Sequence, residues 1–147
     1  MRDTTALQLK RPVVLVSSID KALSVYGELL GFRENYRMEC EIDTFSHQLF
    51  DLPRDLETTF VTLDCGDAER SLALIAIGEA LAKRGNSRSA IVIEVASVVG
   101  TINEARAQGL RCLPIKKETE PTQGPPRSES GFYDHDGNPI VVYDLCP

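Results

Sequence analysis

Three consecutive residues near the end of the chain, Asp134, His135 and Asp136, have side chains that commonly bind metal ions. Gly137 and Asn138 follow them, and aromatic and β-branched residues flank the whole segment. Gly and Asn tolerate positive φ, and Asp hydrogen-bonds to nearby backbone, so the same residues favour a tight turn. The pattern therefore predicts a β-hairpin with His135 exposed in its turn, and turn geometry explains both aspartates without a metal ion.

The other histidine, His47, is a candidate for acid–base chemistry. It lies near Phe45, Leu49 and Phe50 but is offset from the apolar positions of that segment, so we expect it to be exposed. His47 would become an acid or base only if the segment folded over a binding site. Phosphate-binding loops, serine nucleophile motifs and His-Glu-x-x-His do not occur, so nucleotide-driven and triad chemistry have no support.

Short apolar runs predict the elements that would position these groups. Residues 11–16 are rich in β-branched residues and predict a strand, and Ser17 and Asp20 after it have capping-box spacing. A helical stripe follows, which Gly31 would end. The stripe consists of Ile19, Leu23, Tyr26 and Leu30. Three further strands are predicted, at 32–42, 58–63 and 71–77.

The same order of elements restarts in the second half of the chain. Five residues have counterparts 79 positions later: Val16, Ser18, Ile19, Leu23 and Tyr26 correspond to Val95, Ser97, Val98, Ile102 and Ala105. The second helix ends at Gly109, a strand is predicted at 111–117, and a loop at 118–130 leads to the tail hairpin. Internal duplication explains this restart most simply and predicts an α+β fold with two βαβββ modules.

Composition excludes several classes of function. The net charge of −6 argues against binding to nucleic acid or to an anionic membrane surface. No apolar run approaches the roughly 20 residues of a membrane-spanning helix, and the first residues lack a signal-peptide pattern. The four cysteines are widely separated, which indicates reduced thiols. We therefore expect a cytoplasmic protein of one domain.

Two such modules in one chain resemble the vicinal oxygen chelate superfamily, which includes glyoxalase I, extradiol dioxygenases and bleomycin-binding proteins. The resemblance covers about residues 9–146. Residues 16–32 look like the family's entry strand and helix. Residues 134–140 are similar to its Asp-Pro-Asp-Gly-Asn hairpin, with His135 in place of Pro.

The resemblance implies a single domain over 1–147 with a cup-shaped mixed sheet. Module one would span about 9–78, a linker about 79–88, and module two about 89–146. The concave wall of the sheet would face a ligand, and the convex wall would carry the helices. Strand alternation then places six candidate residues on the concave wall: Arg11, Val13, Val92, Glu94, Val141 and Tyr143.

Metal-using members of the superfamily place His or Gln on the first strand of each module and Glu on the last. The corresponding residues here are Arg11, Ala73 or Ile75, Ala90 and Val141. Alanine, isoleucine and valine have no donor atom, and a guanidinium has no lone pair to give. We therefore expect no metal ion of the family type and no other cofactor.

Four polar residues remain as candidates for the site, each with a simpler alternative. Arg11 could clamp a carboxylate or phosphate, or reach solvent from an edge strand. Glu94 could pair with Arg11 or act as a general base, or lie at a wet rim. Arg127 could close a loop over the ligand, or remain solvated. Tyr143 could hydrogen-bond a ligand, or fill core.

The favoured function is binding of a small-molecule ligand without a metal ion, because the expected metal ligands are missing and an apolar pocket with few polar groups suffices for affinity. The alternative is an enzyme of the superfamily type, a lyase, isomerase, epimerase or dioxygenase. It would use non-standard metal ligands or metal-free acid–base catalysis by Glu94, His47 or a tyrosine. The resemblance also implies a homodimer.

Overall fold

The computed structural model describes residues 8–40, 42–85, 89–119 and 124–145. The strands in these ranges are β1 (Val13–Val16), β2 (Arg33–Cys40), β3 (Thr58–Cys65), β4 (Ala68–Ala76), β5 (Ile91–Glu94), β6 (Lys116–Glu118), β7 (Arg127–Tyr133) and β8 (Pro139–Leu145). The helices are α1 (Ile19–Leu23), which continues as a π-helical segment (Ser24–Leu29), α2 (Phe45–Leu49), a 3₁₀ helix (Gly78–Lys83) and α3 (Val98–Ala107). None of the described helices is long and apolar enough to cross a membrane.

Each half of the chain builds its own four-stranded sheet. The strand order is β1-β4-β3-β2 in the first sheet and β5-β8-β7-β6 in the second. In both, the first and last strands pair in parallel and the other neighbours pair antiparallel. Parallel pairing requires a crossover, which α1 and α3 begin. The predicted α+β class with two βαβββ units is confirmed. We call β1–β4 with α1 and α2 module one, and β5–β8 with α3 module two.

The two modules start their helices in the same way. The Ser18 hydroxyl accepts a hydrogen bond from the Lys21 N–H at 3.4 Å, and the Ser97 hydroxyl accepts one from the Gly100 N–H at 3.1 Å. These two caps are 79 positions apart, the same spacing as the sequence repeat. Each satisfies one of the N–H groups that a helix start leaves without an intrahelical partner.

A single apolar core joins the modules. It contains α1, α3 and the inner faces of both sheets. Its fully buried residues come from both halves: Val16, Val25, Val61, Leu63, Leu74, Val98, Ile102, Ala105 and Val142. Burying an aliphatic side chain contributes roughly 1.5–3 kcal/mol, so neither half would keep its stability alone. We call the sheet face turned away from this core the outer face; it is the face predicted to be concave.

The β7–β8 turn also contributes to this junction, through the buried carboxylate of Asp134. The Tyr26 hydroxyl of module one donates to Asp134 Oδ2 at 2.8 Å. Asp134 Oδ1 accepts the N–H groups of Asp136 and Asn138, both at 2.9 Å. Burial, reinforced by the charge of Asp134 and this hydrogen bond, raises the pKa of Tyr26 well above its usual value. The turn geometry predicted for both aspartates is therefore present.

Two more hydrogen bonds fix the turn to the first strand. The Ser17 N–H donates to Asp136 Oδ2 at 2.9 Å, and the Asn138 side-chain amide donates to the Leu15 carbonyl at 3.1 Å. Ser17 was predicted to cap α1, and that prediction is wrong: Ser18 is the cap, and Ser17 contacts the hairpin instead. His135 is exposed in the turn, as predicted.

Candidate ligand-binding site

The structure brings five of the predicted site residues together on the outer face of module two. They line one hollow of about 490 Å³: Val92, Glu94, Arg127, Val141 and Tyr143. Pro125, Glu129 and Leu145 complete its lining. We call this the module-two hollow.

Strand register explains why these residues converge. In the parallel pair β5–β8, Val92 lies opposite Val141 and Glu94 lies opposite Tyr143. In the antiparallel pair β7–β8, Glu129 lies opposite Tyr143. Residues paired across neighbouring strands point to the same face. An apolar pair therefore adjoins a polar row in the module-two hollow.

Arg127 lies in strand β7, not in a lid loop as predicted, and two carboxylates share its charge. Its guanidinium is 3.4 Å from Glu118 and 3.8 Å from Glu129. Glu118 also pairs with Lys116 at 3.1 Å. All four side chains are partly or fully exposed, so these ion pairs contribute little to stability. They place the Arg127 guanidinium beside Glu118 and Glu129.

Tyr143 and Glu94 form the other polar part of the hollow. Hydrogen bonding to the neighbouring Glu94 carboxylate, followed by partial burial, raises the pKa of the Tyr143 hydroxyl. Tyr143 therefore stays protonated near neutral pH. It can donate a hydrogen bond to Glu94 or to a ligand acceptor, and it is not poised to act as a base.

Arg11 and Val13 lie apart from the module-two hollow. Arg11 Nε donates to the carbonyl of Arg70 at 2.8 Å, beside the outer face of module one. Val13 is 40% exposed and lines a different hollow of about 470 Å³, which also contains Ile91 and Asp136. The structure thus separates Arg11 and Val13 from the five predicted residues of the module-two hollow.

His47 is buried, so the prediction that it is exposed is wrong. Only 1% of its surface is accessible. The Thr44 N–H donates to His47 Nδ1 at 3.1 Å, which leaves Nε2 to carry the proton and donate to the Leu56 carbonyl at 2.6 Å. Both ring nitrogens are therefore engaged, and His47 has a structural role in holding the chain around α2.

The segment around α2 covers part of the outer face of module one. Leu52, 6% exposed, packs with Ile75 and Ile77, and Phe50 and Leu56 adjoin them. Sequence periodicity misled here, because Phe45 and Leu49 are the exposed residues of α2 at 75% and 63%. The histidine was predicted to be exposed because it is offset from the apolar residues, but a five-residue helix is too short for such an offset to show which side is buried.

The side chains at the predicted metal positions do not suit a divalent ion. Of these positions, Ala73 lies opposite Val13, Ile75 lies opposite Leu15, and Val141 lies opposite Val92, while Arg11 donates to the Arg70 carbonyl. Aliphatic side chains offer no donor atom. Among the residues that the structure describes, no group of three or more His, Cys, Asp and Glu side chains is arranged to hold a metal ion.

Comparison with known proteins agrees with this fold. A model of the Glyoxalase/Bleomycin resistance protein/Dioxygenase superfamily matches residues 8–142. The chain belongs to this superfamily. No curated protein sequence is significantly similar to it.

Solved structures of other superfamily proteins superpose on the chain at low sequence identity. A glyoxalase family protein from Bacillus cereus has a TM-score of 0.73 at 13% identity, covering 100% of this chain and 99% of that one. The trypanothione-dependent glyoxalase I of Leishmania major gives 0.64 at 16% identity, covering 95% and 87%. The fosfomycin resistance protein FosX of Listeria monocytogenes, complexed with Mn(II) and sulfate, gives 0.61 at 13% identity, covering 95% and 93%. Identities this low establish a common fold only.

Proposed function

We propose that this superfamily member binds a small organic molecule in the module-two hollow without a metal ion. The observation that supports this most is the convergence of Val92 and Val141 with Glu94 and Tyr143 in one concavity. Ligand sites commonly combine an apolar floor with a few polar groups that fix orientation. Val92 is 64% exposed, so an apolar ligand would remove much of its surface from water.

The polar row would orient the ligand. Tyr143 is a protonated hydroxyl that can donate, and Glu94 is a carboxylate that can accept. Arg127 supplies a guanidinium that Glu118 and Glu129 hold in place. The apolar part of the ligand would contact Val92, and its polar groups would reach the row of side chains next to it.

A matched pair of variants tests this proposal. Val92→Glu places a charge on the floor of the hollow, and Val13→Glu places one at the counterpart 79 positions earlier. Both residues are exposed enough to accept the change, at 64% and 40%. A fragment library is screened by calorimetry against the native protein and both variants. We expect Val92→Glu to weaken the best fragment about tenfold or more and Val13→Glu to leave it unchanged. Equal effects of both variants would contradict the proposal.

Elemental analysis of the purified protein separates binding without metal from metal chemistry. The similar FosX structure contains Mn(II), so the metal content of this protein is measured directly. We expect fragment affinity to be the same before and after chelation. Stoichiometric metal together with lost binding on chelation would instead support a metal-dependent superfamily enzyme.

Metal-free acid–base catalysis is the alternative function. Glu94 in the hollow is the group that could serve as a base, since His47 has both nitrogens engaged and the raised pKa of Tyr143 disfavours the phenolate. Turnover of a fragment, abolished by Glu94→Gln with binding retained, would favour this alternative over a binding protein.

We also infer that the protein is a cytoplasmic homodimer. Large apolar side chains such as Phe45 and Leu49 are exposed beside the covered face of module one, and patches of this kind often mark contact surfaces. Light scattering during size-exclusion chromatography gives the molar mass. A dimer that Leu49→Glu converts to monomer supports the inference, and a native monomer contradicts it.

A further inference from the structure

Arg70, on the outer face of module one, has an unusual backbone conformation. Its φ is +49°, in the left-handed region that long side chains rarely adopt. Strand pairing shifts at this point, between the Leu63–Leu72 pair and the Cys65–Ala68 pair. An irregularity of this kind re-aims a side chain, and strained residues persist only where their surroundings hold them.

Three contacts hold the N–H and the side chain of Arg70. Its N–H donates to Asp64 Oδ1 at 2.8 Å, and its Nε donates to Asn35 Oδ1 at 3.1 Å. Its guanidinium carbon lies 5.5 Å from the centre of the Tyr36 ring. Tyr36 pairs with Thr62, whose neighbours Val61 and Leu63 face the core. Tyr36 therefore faces outward, and the strained backbone brings the Arg70 side chain to the outer face.

Arg11 places a second guanidinium against the backbone of Arg70. Its Nε donates to the Arg70 carbonyl at 2.8 Å. In the described part of the chain, neither arginine forms an ion pair, and their terminal nitrogens make no hydrogen bond. Asp64 is the acidic group of this cluster, and its oxygens already accept from Asn35 and from the Arg70 N–H. The terminal nitrogens of both guanidinium groups are thus open to a ligand, and the nearby carboxylate already accepts hydrogen bonds.

Apolar side chains and one buried hydroxyl lie on the same outer face as the Tyr36 ring. Val13, Tyr36 and Met38 belong to this outer face and are 40%, 42% and 44% exposed. Thr62 pairs with Tyr36 on one side and Ala73 on the other, is 2% exposed, and its hydroxyl has no hydrogen-bond partner among the described residues. An unpartnered hydroxyl is costly to bury, so a ligand that reaches it would recover a hydrogen bond.

We propose that Arg11 and Arg70 form a site for a small organic anion, separate from the module-two hollow. Guanidinium groups with open edges bind carboxylate and phosphate oxygens, often in bidentate fashion. Tyr36 and Met38 would contact the apolar body of the same ligand. This site does not depend on the proposed function of module two.

Amide NMR titrations with three probes test the site in the full chain. Benzoate and phenyl phosphate carry the two anionic groups, and benzylammonium carries the same ring with a positive charge. We expect at least one anion to shift the Arg70 Nε–H signal and the amides of Tyr36 and Thr62, and benzylammonium to leave them unchanged. Comparison of the two anions shows which group is preferred. Failure of both anions to shift these signals overturns the proposal.

Arg70→Gly separates binding from structural support. Glycine adopts positive φ without strain, so this variant should keep or raise the melting temperature while anion affinity falls about tenfold or more. Arg11→Lys keeps the charge but loses the guanidinium geometry, and should also weaken binding. Arg37→Ala, which removes an arginine paired with Glu34, is the charge-matched control and should change nothing.

Two results would contradict the site. The first is that Arg70→Gly binds the anions as tightly as the native protein. The second is that Val92→Glu in the module-two hollow weakens anion binding as much as Arg70→Gly does, since that would place both ligands at one site. If Val92→Glu leaves anion binding intact, the two proposals succeed or fail independently.

Discussion

The β3–β4 turn of module one and the β7–β8 turn of module two join equivalent strands, yet one is exposed and the other is built into the junction. Asp67 in the first turn is exposed. Asp134 in the second is 5% exposed and accepts hydrogen bonds from both modules. The β7–β8 hairpin thus joins the two modules. The β3–β4 hairpin has an exposed turn and contains the register shift next to Arg70. The two modules share their strand order and core-facing positions, and their equivalent turns differ in exposure and in the contacts that they make.

The outer faces differ in the same way. Module one is covered at one end by the segment that His47 holds, leaving Tyr36 and Met38 open at the other. Module two is open over Val92 and Glu94 and has no corresponding helix between its second and third strands in the described residues. The modules therefore offer different surfaces to ligands, although their strand orders match.

The largest effect is expected when the buried turn loses its carboxylate. Asp134→Ala leaves the Tyr26 hydroxyl, two backbone N–H groups and the Asn138 amide without their acceptor. We expect the free energy of unfolding to fall by about 3 kcal/mol. Asp67→Ala in the exposed turn should change it by less than about 0.5 kcal/mol. Urea unfolding of both variants measures the difference, and equal losses would contradict the contrast between the turns.

A smaller loss is expected for the histidine beneath the α2 segment. His47→Ala removes the donor to the Leu56 carbonyl and leaves a cavity, at a cost of about 2 kcal/mol. His135→Ala, in the exposed turn, should be nearly neutral. Hydrogen exchange should show faster opening of residues 44–56 in His47→Ala alone. Unchanged protection of that segment would mean that His47 does not hold it.

Removal of the Tyr26 hydroxyl should cost about 1 kcal/mol at neutral pH, because Asp134 keeps its other donors. The effect also depends on pH. Since folding raises the pKa of Tyr26 above its ordinary value of 10.0, the stabilisation is complete below about pH 10 and is lost as the pH rises toward the folded value. The native protein should therefore lose stability above about pH 10 more steeply than Tyr26→Phe. Parallel curves for both proteins would contradict this.

The smallest effects test the shared frame. Ser18→Ala and Ser97→Ala each remove the cap of an equivalent helix, and each should cost about 0.5–1 kcal/mol. The loss for Ser97 should be slightly larger, because its hydrogen bond is 3.1 Å against 3.4 Å for Ser18. Thermal unfolding resolves these losses. A large loss at one cap with none at the other would show that the two helix starts are not equivalent.

Local signals in the sequence predict much of the fold. Alternation along β5 and β8 places Val92, Glu94, Val141 and Tyr143 on one face, and the structure shows them around one hollow. His47 was misplaced because its burial depends on Thr44 and Leu56, backbone partners that periodicity does not specify. The positive φ of Arg70 could not be predicted from neighbouring residues, because contacts with Asp64 and Asn35 stabilise it. Arg127 was placed in a loop because the prolines before it hid the start of β7.

A crystal structure of the protein bound to the strongest fragment from the library tests the central claim most directly. We predict ligand density in the module-two hollow, in contact with Val92 and within hydrogen-bond distance of Tyr143 or Glu94, with no anomalous signal from a metal ion beside it. A fragment bound through a metal ion, or bound elsewhere with the hollow filled by solvent, would contradict the account.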